Sequence, residues 1–243
     1  MDTYQAVLGH RQAVARRDGN SEFRDAARKQ ESLLAAGEKK ILVALAKKMP
    51  AWVNSDHLTI LGAVGMVLTG VAYAMARWNR HAVILATVAL FINWFGDSLD
   101  GTLARVRNHL RPRYGFYVDH VIDAFGTSVL FAGLAASGLM SLYVAVGLLV
   151  AFLLLSIETY LATYTLGSFK LSHFKWSPTE LRILLAIGNI VVLYRPFVIG
   201  GRYRLFDVGG VVGIVGMVLI LLLSFTRNTR TLYREEPLAR SQG

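Results

Sequence analysis

Four aspartates, Asp97, Asp100, Asp119 and Asp123, stand in an otherwise apolar part of the chain, within the stretch GDSLDGTLARVRNHLRPRYGFYVDHVIDAFG at residues 96–126. Asp97 and Asp100 are three residues apart and Asp119 and Asp123 four apart, so each pair shares one face of a helix. An arginine-rich connection with Pro112 and Gly115 separates the pairs. It predicts a turn between two adjacent antiparallel helices, with the four carboxylates brought together. Carboxylates at that spacing do not all stay ionised without compensating cations. The chain has no cysteine and no helical histidine pair, so the donors are hard oxygens, which suit Mg²⁺ or Mn²⁺ rather than zinc. Two such ions can bridge a diphosphate and stabilise both the attacking and the leaving oxygen.

The neighbours of the aspartates fit a phosphate ligand. Gly101 removes a side chain where a ligand would approach the helix backbone, and Ala104 is small on the same face as Asp97 and Asp100. Arg105 supplies a fixed cation for phosphate. Thr102 offers a hydroxyl beside them, and Gly115, four residues before Asp119, opens space at the start of the next helix.

These residues need a scaffold, and the composition says which kind. Of 243 residues, 54% are hydrophobic and 17% charged, below the charged share of about 25% typical of soluble domains. Six apolar segments, at about 57–76, 81–106, 115–138, 141–166, 179–199 and 207–226, each reach the roughly 20 residues needed to cross a bilayer. They predict an all-α integral membrane protein with one six-span domain over 51–228. Residues 1–50 form a polar lead-in and an amphipathic helix over about 24–49 that lies in the headgroup region, and 229–243 a polar tail. The net charge of +10 suits anionic lipid headgroups, and no nucleic-acid partner is expected.

Lysine and arginine are unevenly shared between the two sides of this arrangement. Twenty fall on the side of the termini and the aspartate loop and five on the other, with Arg182 near the start of the fifth span. The asymmetry places both termini and the aspartates on the cytoplasmic face. A bacterial inner or cell membrane is the expected location.

The order Asp97-x2-Asp100-Gly101-x2-Ala104-Arg105, then Gly115-x3-Asp119-x3-Asp123, resembles the signature of the CDP-alcohol phosphotransferases. The motif spans 27 residues. Its Arg105-to-Gly115 interval is longer than is usual in that family. Six spans behind an interfacial helix are similar to the family's layout. The resemblance implies transfer of a phospho-alcohol group from a CDP-linked alcohol to a hydroxyl acceptor, with release of CMP. It also implies that Asp97, Asp100, Asp119 and Asp123 hold the metal ions and that Asp123 is the general base. Gly101, Ala104 and Arg105 would line the cytidine diphosphate site, which we extend to Thr102 and Gly115. The expected donor is CDP-diacylglycerol, with inositol phosphate, glycerol phosphate or serine as acceptor, and a homodimer is consistent with the family.

Other residues carry less. His120, in "DHVID", resembles the branch that moves phosphocholine or phosphoethanolamine onto diacylglycerol, and with Arg182 it is a candidate for the acceptor side. An arginine one turn into a span requires an anion. Ser177, Pro178 and Glu180 read as a helix start, Asp56–His57 as a helix cap, and Glu158 as either paired or lining the cavity. A Mg²⁺-dependent membrane prenyltransferase would also use aspartate pairs, but it leaves Gly101, Ala104 and Arg105 unexplained. A cation channel or carrier would spread acidic residues along a path instead of gathering them at one end.

Overall fold

The computed structural model describes residues 35–166 and 178–236. Among the described residues, seven helices run α1 (Ala35–Lys48), α2 (Ser55–Met75), α3 (Ala82–Val106), α4 (Pro112–Ser137), α5 (Leu142–Leu166), α6 (Pro178–Tyr194) and α7 (Leu205–Glu235). A two-stranded antiparallel hairpin, β1 (Phe197–Val198) and β2 (Tyr203–Arg204), joins α6 to α7. Five helices of the described residues, α2 to α5 and α7, are long and apolar enough to span a membrane. The segment expected to run to residue 199 ends earlier, because Pro196 cannot continue a helix and pushes Arg195 out of helical geometry. The hairpin then turns through Ile199, Gly200 and Gly201, all with positive φ.

Local chemistry sets the helix ends. Asn54 caps α2 by accepting from the backbone of His57, whose ring accepts from the Asn54 backbone N–H in return. The cap is therefore Asn54, with His57 as its reciprocal partner, whereas Asp56 lies in the first turn and pairs with Arg111. Pro112 starts α4 at a position that needs no N–H, and Gly138 ends it with φ 75°. α7 continues as helix through residue 229 to Glu235, nine residues beyond the apolar run at 207–226. The part of the amphipathic helix before Ala35, the 1–23 lead-in and Ser177 lie outside the described residues.

The bundle is organised around α2. A Cβ at Gly96 would come within 2.4 Å of the Gly62 nitrogen, and one at Gly65 within 2.6 Å of the Asn93 nitrogen, so α2 and α3 touch backbone to backbone. On the other side, a Cβ at Gly133 would fall 2.0 Å from the Gly70 carbonyl oxygen, which locks α2 to α4. Small residues that let helices approach closely are the main means of association where lipid removes the hydrophobic drive. The two aspartate-bearing helices were expected to be direct neighbours. Instead, α3 and α4 both pack against α2 and make little backbone contact with each other, because the glycines of α2 admit a helix on each side.

Two apolar cores stabilise this frame. One gathers Tyr73, Leu90, Leu130, Leu134, Val192 and Phe206. Within it the Tyr73 hydroxyl donates to Asn189 at 3.0 Å, and Asn189 donates to Thr87 at 3.0 Å. The second core holds α1 in place: Leu42 and Ala46 are buried with Val53, Leu58, Leu99 and Leu103. Lys39, Lys40, Lys47 and Lys48 of α1 stay exposed. Arg107, at the end of α3, donates to the carbonyls of Met49 at 3.0 Å and Pro50 at 2.8 Å, and also to Val53. It thereby satisfies the open carbonyls after α1 and fixes the turn into α2.

Candidate active site

Asp97 on α3 and Asp119 and Asp123 on α4 converge, each offering a carboxylate oxygen, with these atoms all within 4.8 Å of one another. All three are partly buried. The spacing of four between Asp119 and Asp123 places both on one face of α4, as the periodicity requires. Asp97 reaches them from α3, which like α4 packs against α2.

Asp100 lies near this group but not in it. Its carboxylate accepts from Oγ1 of Thr59 on α2 at 2.7 Å and from the backbone N–H of Gly101. Its carbonyl oxygen accepts from Ser55 Oγ at 2.8 Å. Asp97 and Asp119 remain within electrostatic reach of the Asp100 carboxylate. Thr59 and Ser55 escape a reading by spacing, because hydroxyls are common at helix starts and nothing local marks their partner.

A cation faces the cluster. Arg182, one turn into α6, donates from Nη2 to Asp97 Oδ2 at 2.7 Å and from Nε to Asn93 Oδ1 at 2.8 Å. Asn93 is buried and donates to the Gly62 carbonyl at 2.9 Å. The anion an arginine requires at that depth is thus Asp97. Asn93 was missed, although an asparagine in the middle of an apolar run is itself a signal.

The residues expected around the nucleotide divide into open and closed positions. A Cβ at Gly115 would meet nothing within 4 Å, and one at Gly101 only the Arg105 guanidinium at 3.9 Å. Both glycines therefore leave free volume. Arg105 is exposed and lies back along α3, donating to Thr102 Oγ1 at 3.3 Å. Ala104 and Thr102 are buried, and the Thr102 hydroxyl donates to the Ser98 carbonyl at 3.1 Å within its own helix.

His120 packs beside the carboxylates. Its ring lies 4.1 Å from that of Phe116 and 4.7 Å, edge-on, from that of Tyr160 on α5. A carbonyl only accepts, so the 2.6 Å contact with the Phe116 oxygen puts the proton on Nδ1. Asp119 Oδ2 is 3.9 Å from the same nitrogen. Glu158 is paired: its Oε1 accepts from Ser224 at 3.0 Å and from Asn228 at 2.7 Å on α7. α6 begins at Pro178 with Glu180 in its first turn, in line with the helix-start signal.

An all-oxygen set of three carboxylates, drawn together yet only partly buried, fits a hard divalent cation. Chemically, such a centre can fix and polarise a diphosphate while a carboxylate takes a proton.

Comparison with known proteins points the same way. The family model for CDP-alcohol phosphatidyltransferase matches residues 52–226. A phosphatidylinositol phosphate synthase of Cutibacterium acnes is 34% identical over 101 residues, which is 41% of this chain and 46% of that protein. The aligned part thus spans less than half the length of that relative. Among solved structures, the phosphatidylinositol phosphate synthase of Mycobacterium tuberculosis with CDP-DAG bound superposes with a TM-score of 0.56 at 19% identity. That match covers 84% of this chain and 98% of the other, and it establishes a shared fold.

Proposed function

This chain belongs to the CDP-alcohol phosphatidyltransferase family, and from that premise we propose that it transfers the phosphatidyl group of CDP-diacylglycerol to a polar alcohol and releases CMP. The convergence of Asp97, Asp119 and Asp123 carries this reading, because it sets three oxygen donors within 4.8 Å beside the open positions Gly101 and Gly115. We take the acceptor to be a phosphorylated polyol such as inositol phosphate. The name of the Cutibacterium relative supports that choice over glycerol phosphate or serine.

In this reading Asp97, Asp100, Asp119 and Asp123 hold two divalent cations, Mg²⁺ or Mn²⁺. When bound, these ions neutralise the diphosphate and polarise its phosphorus–oxygen bonds. The protein's own groups do the rest. Gly101 and Gly115 leave room for the cytidine diphosphate, Arg105 supplies positive charge to it, and Ala104 and Thr102 shape the helix behind. Asp123 takes the proton from the acceptor hydroxyl. The acceptor oxygen forms a bond to the phosphorus that carries the diacylglycerol. The bond from that phosphorus to the bridging oxygen breaks, and CMP leaves with the electron pair. Arg182 and His120 face the acceptor side, where the Arg182 cation favours a phosphorylated alcohol.

The same reading places α6 across the membrane as a sixth span, with α1 at the membrane surface and its exposed lysines toward headgroups. Both ends of the domain and the carboxylates then lie on the cytoplasmic face, as the lysine and arginine asymmetry supports.

The test is a panel of acceptors. Purified protein is incubated with Mg²⁺ and either CDP-diacylglycerol plus, in turn, inositol phosphate, glycerol phosphate or serine, or CDP-choline or CDP-ethanolamine plus diacylglycerol, and CMP and the product lipid are measured. Product with inositol phosphate alone is expected. Turnover only with CDP-choline or CDP-ethanolamine and diacylglycerol would replace the proposed substrates, and no CMP in any combination from folded protein would remove the activity.

A further inference from the structure

One acidic side chain outside the cluster joins two helices of the site. Glu38 on α1 accepts with Oε1 from the indole Nε1 of Trp94 on α3 at 2.9 Å. The same oxygen accepts from Oγ1 of Thr179 on α6 at 2.8 Å. Both donors are next to the Arg182 contact in sequence. Trp94 follows Asn93 and stands three residues before Asp97, whereas Thr179 stands three residues before Arg182. α3 and α6 are therefore tied at two successive levels, first by Glu38 and then by Arg182.

The tie is rigid on its α1 side. Leu42 and Ala46, four and eight residues after Glu38 on the same face, are buried against Leu58, Leu99 and Leu103. Further along α6, the buried Asn189 and Val192 fix its distal half to Tyr73, Thr87 and the larger core. At the Arg182 end, polar contacts run to Glu38, Asn93 and Asp97, and Leu185, three residues further on, packs against the larger core.

We propose that Glu38 is a positioning residue for the phosphotransfer site, holding the first turn of α6 so that Arg182 reaches Asp97 and Asn93. The inference rests on the reaction assigned above and deepens it. Through Glu38, the seating of α1 sets the position of the Arg182 cation on the acceptor side. Loss of the carboxylate oxygen frees the first turn of α6, and binding of a phosphorylated acceptor weakens while donor binding does not.

Three variants and two measurements test it. Glu38→Gln keeps a side-chain carbonyl that accepts both bonds, Glu38→Leu removes both, and Thr179→Val removes one. The acceptor KM should stay within about twofold of wild type for Glu38→Gln and rise about tenfold for Glu38→Leu, the scale set by losing hydrogen bonds to a charged group. Thr179→Val should fall between them, and the donor KM should not move. A role in stability alone would lower the yield of folded enzyme and leave the acceptor KM of the folded fraction unchanged.

The second measurement does not depend on turnover. The chain has no native cysteine, so spin labels can be placed at Phe91→Cys and Leu184→Cys, exposed sites on α3 and α6. Pulsed EPR should give one narrow distance distribution in the wild-type and Glu38→Gln backgrounds and a broadened one with Glu38→Leu. If the distribution broadens while no background, wild type included, turns over, the anchoring of α6 stands and the assigned reaction falls. An unchanged distribution with Glu38→Leu, or an acceptor KM as high in Glu38→Gln as in Glu38→Leu, would overturn the proposal.

Discussion

The guanidinium of Arg182 on α6 sits 2.7 Å from the carboxylate of Asp97 on α3, with its Nε on Asn93 at 2.8 Å. Because Asn93 also donates to the Gly62 carbonyl, this single cation is linked to α3 directly and to α2 through one further bond. Asp97 is thereby aimed at Asp119 and Asp123 instead of away from them.

Removing that cation should therefore damage the site more than the fold. Arg182→Gln is expected to lower kcat/KM by about 10- to 100-fold, in line with a lost charge-assisted hydrogen bond of about 1.5–3 kcal/mol. Arg182→Lys should recover only part of this, because an ammonium cannot reach Asp97 and Asn93 with the same planar fork. Steady-state kinetics with both substrates varied would check it. Wild-type kinetics in Arg182→Gln would remove Arg182 from the site.

Asp123 tests the proton transfer. Asp123→Asn should reduce turnover by about 100- to 10,000-fold, the usual contribution of a general base. Binding of CDP-diacylglycerol, followed by a ligand-induced rise in melting temperature, should persist. Full activity in this variant would assign the proton to another group.

The glycines divide into those that serve packing and those that leave room for a ligand. A Cβ at Gly133 would collide with the Gly70 carbonyl at 2.0 Å, so Gly133→Ala should destabilise the protein by about 1–3 kcal/mol. Gly101→Val meets no such backbone and should leave the melting temperature in place while raising the KM for the CDP-linked donor. Thermal unfolding in detergent, paired with donor titrations, separates the two. A drop in stability for Gly101→Val with unchanged donor KM would reverse the roles.

Much of this architecture was legible in the sequence, because its signals are periodic. Apolar runs gave the helices α2 to α5 and α7 to within a few residues at most ends, and the three- and four-residue spacings placed the aspartates on shared faces. What stayed hidden depends on contacts between distant segments. That α3 and α4 straddle α2 follows from Gly62, Gly65, Gly70, Gly96 and Gly133 meeting backbone across helices, and a lone glycine does not announce its neighbour. Asp100 turns to Thr59 for the same reason: its partner is 41 residues away. Arg107 looked like one more cation of a basic loop, yet it is bound to the carbonyls that follow α1. The early end of α6 was, by contrast, readable from Pro196 and the Gly200–Gly201 pair.

The three converging carboxylates are proposed as the seat of a metal-dependent CMP release. The most direct test is CMP formation from CDP-diacylglycerol and inositol phosphate as a function of free Mg²⁺, in wild type and in Asp119→Asn. No CMP is expected in chelator, with a saturable rise with Mg²⁺ in wild type and loss of that rise in Asp119→Asn. CMP release that persists in chelator, or an Asp119→Asn curve that overlays the wild type, would contradict it.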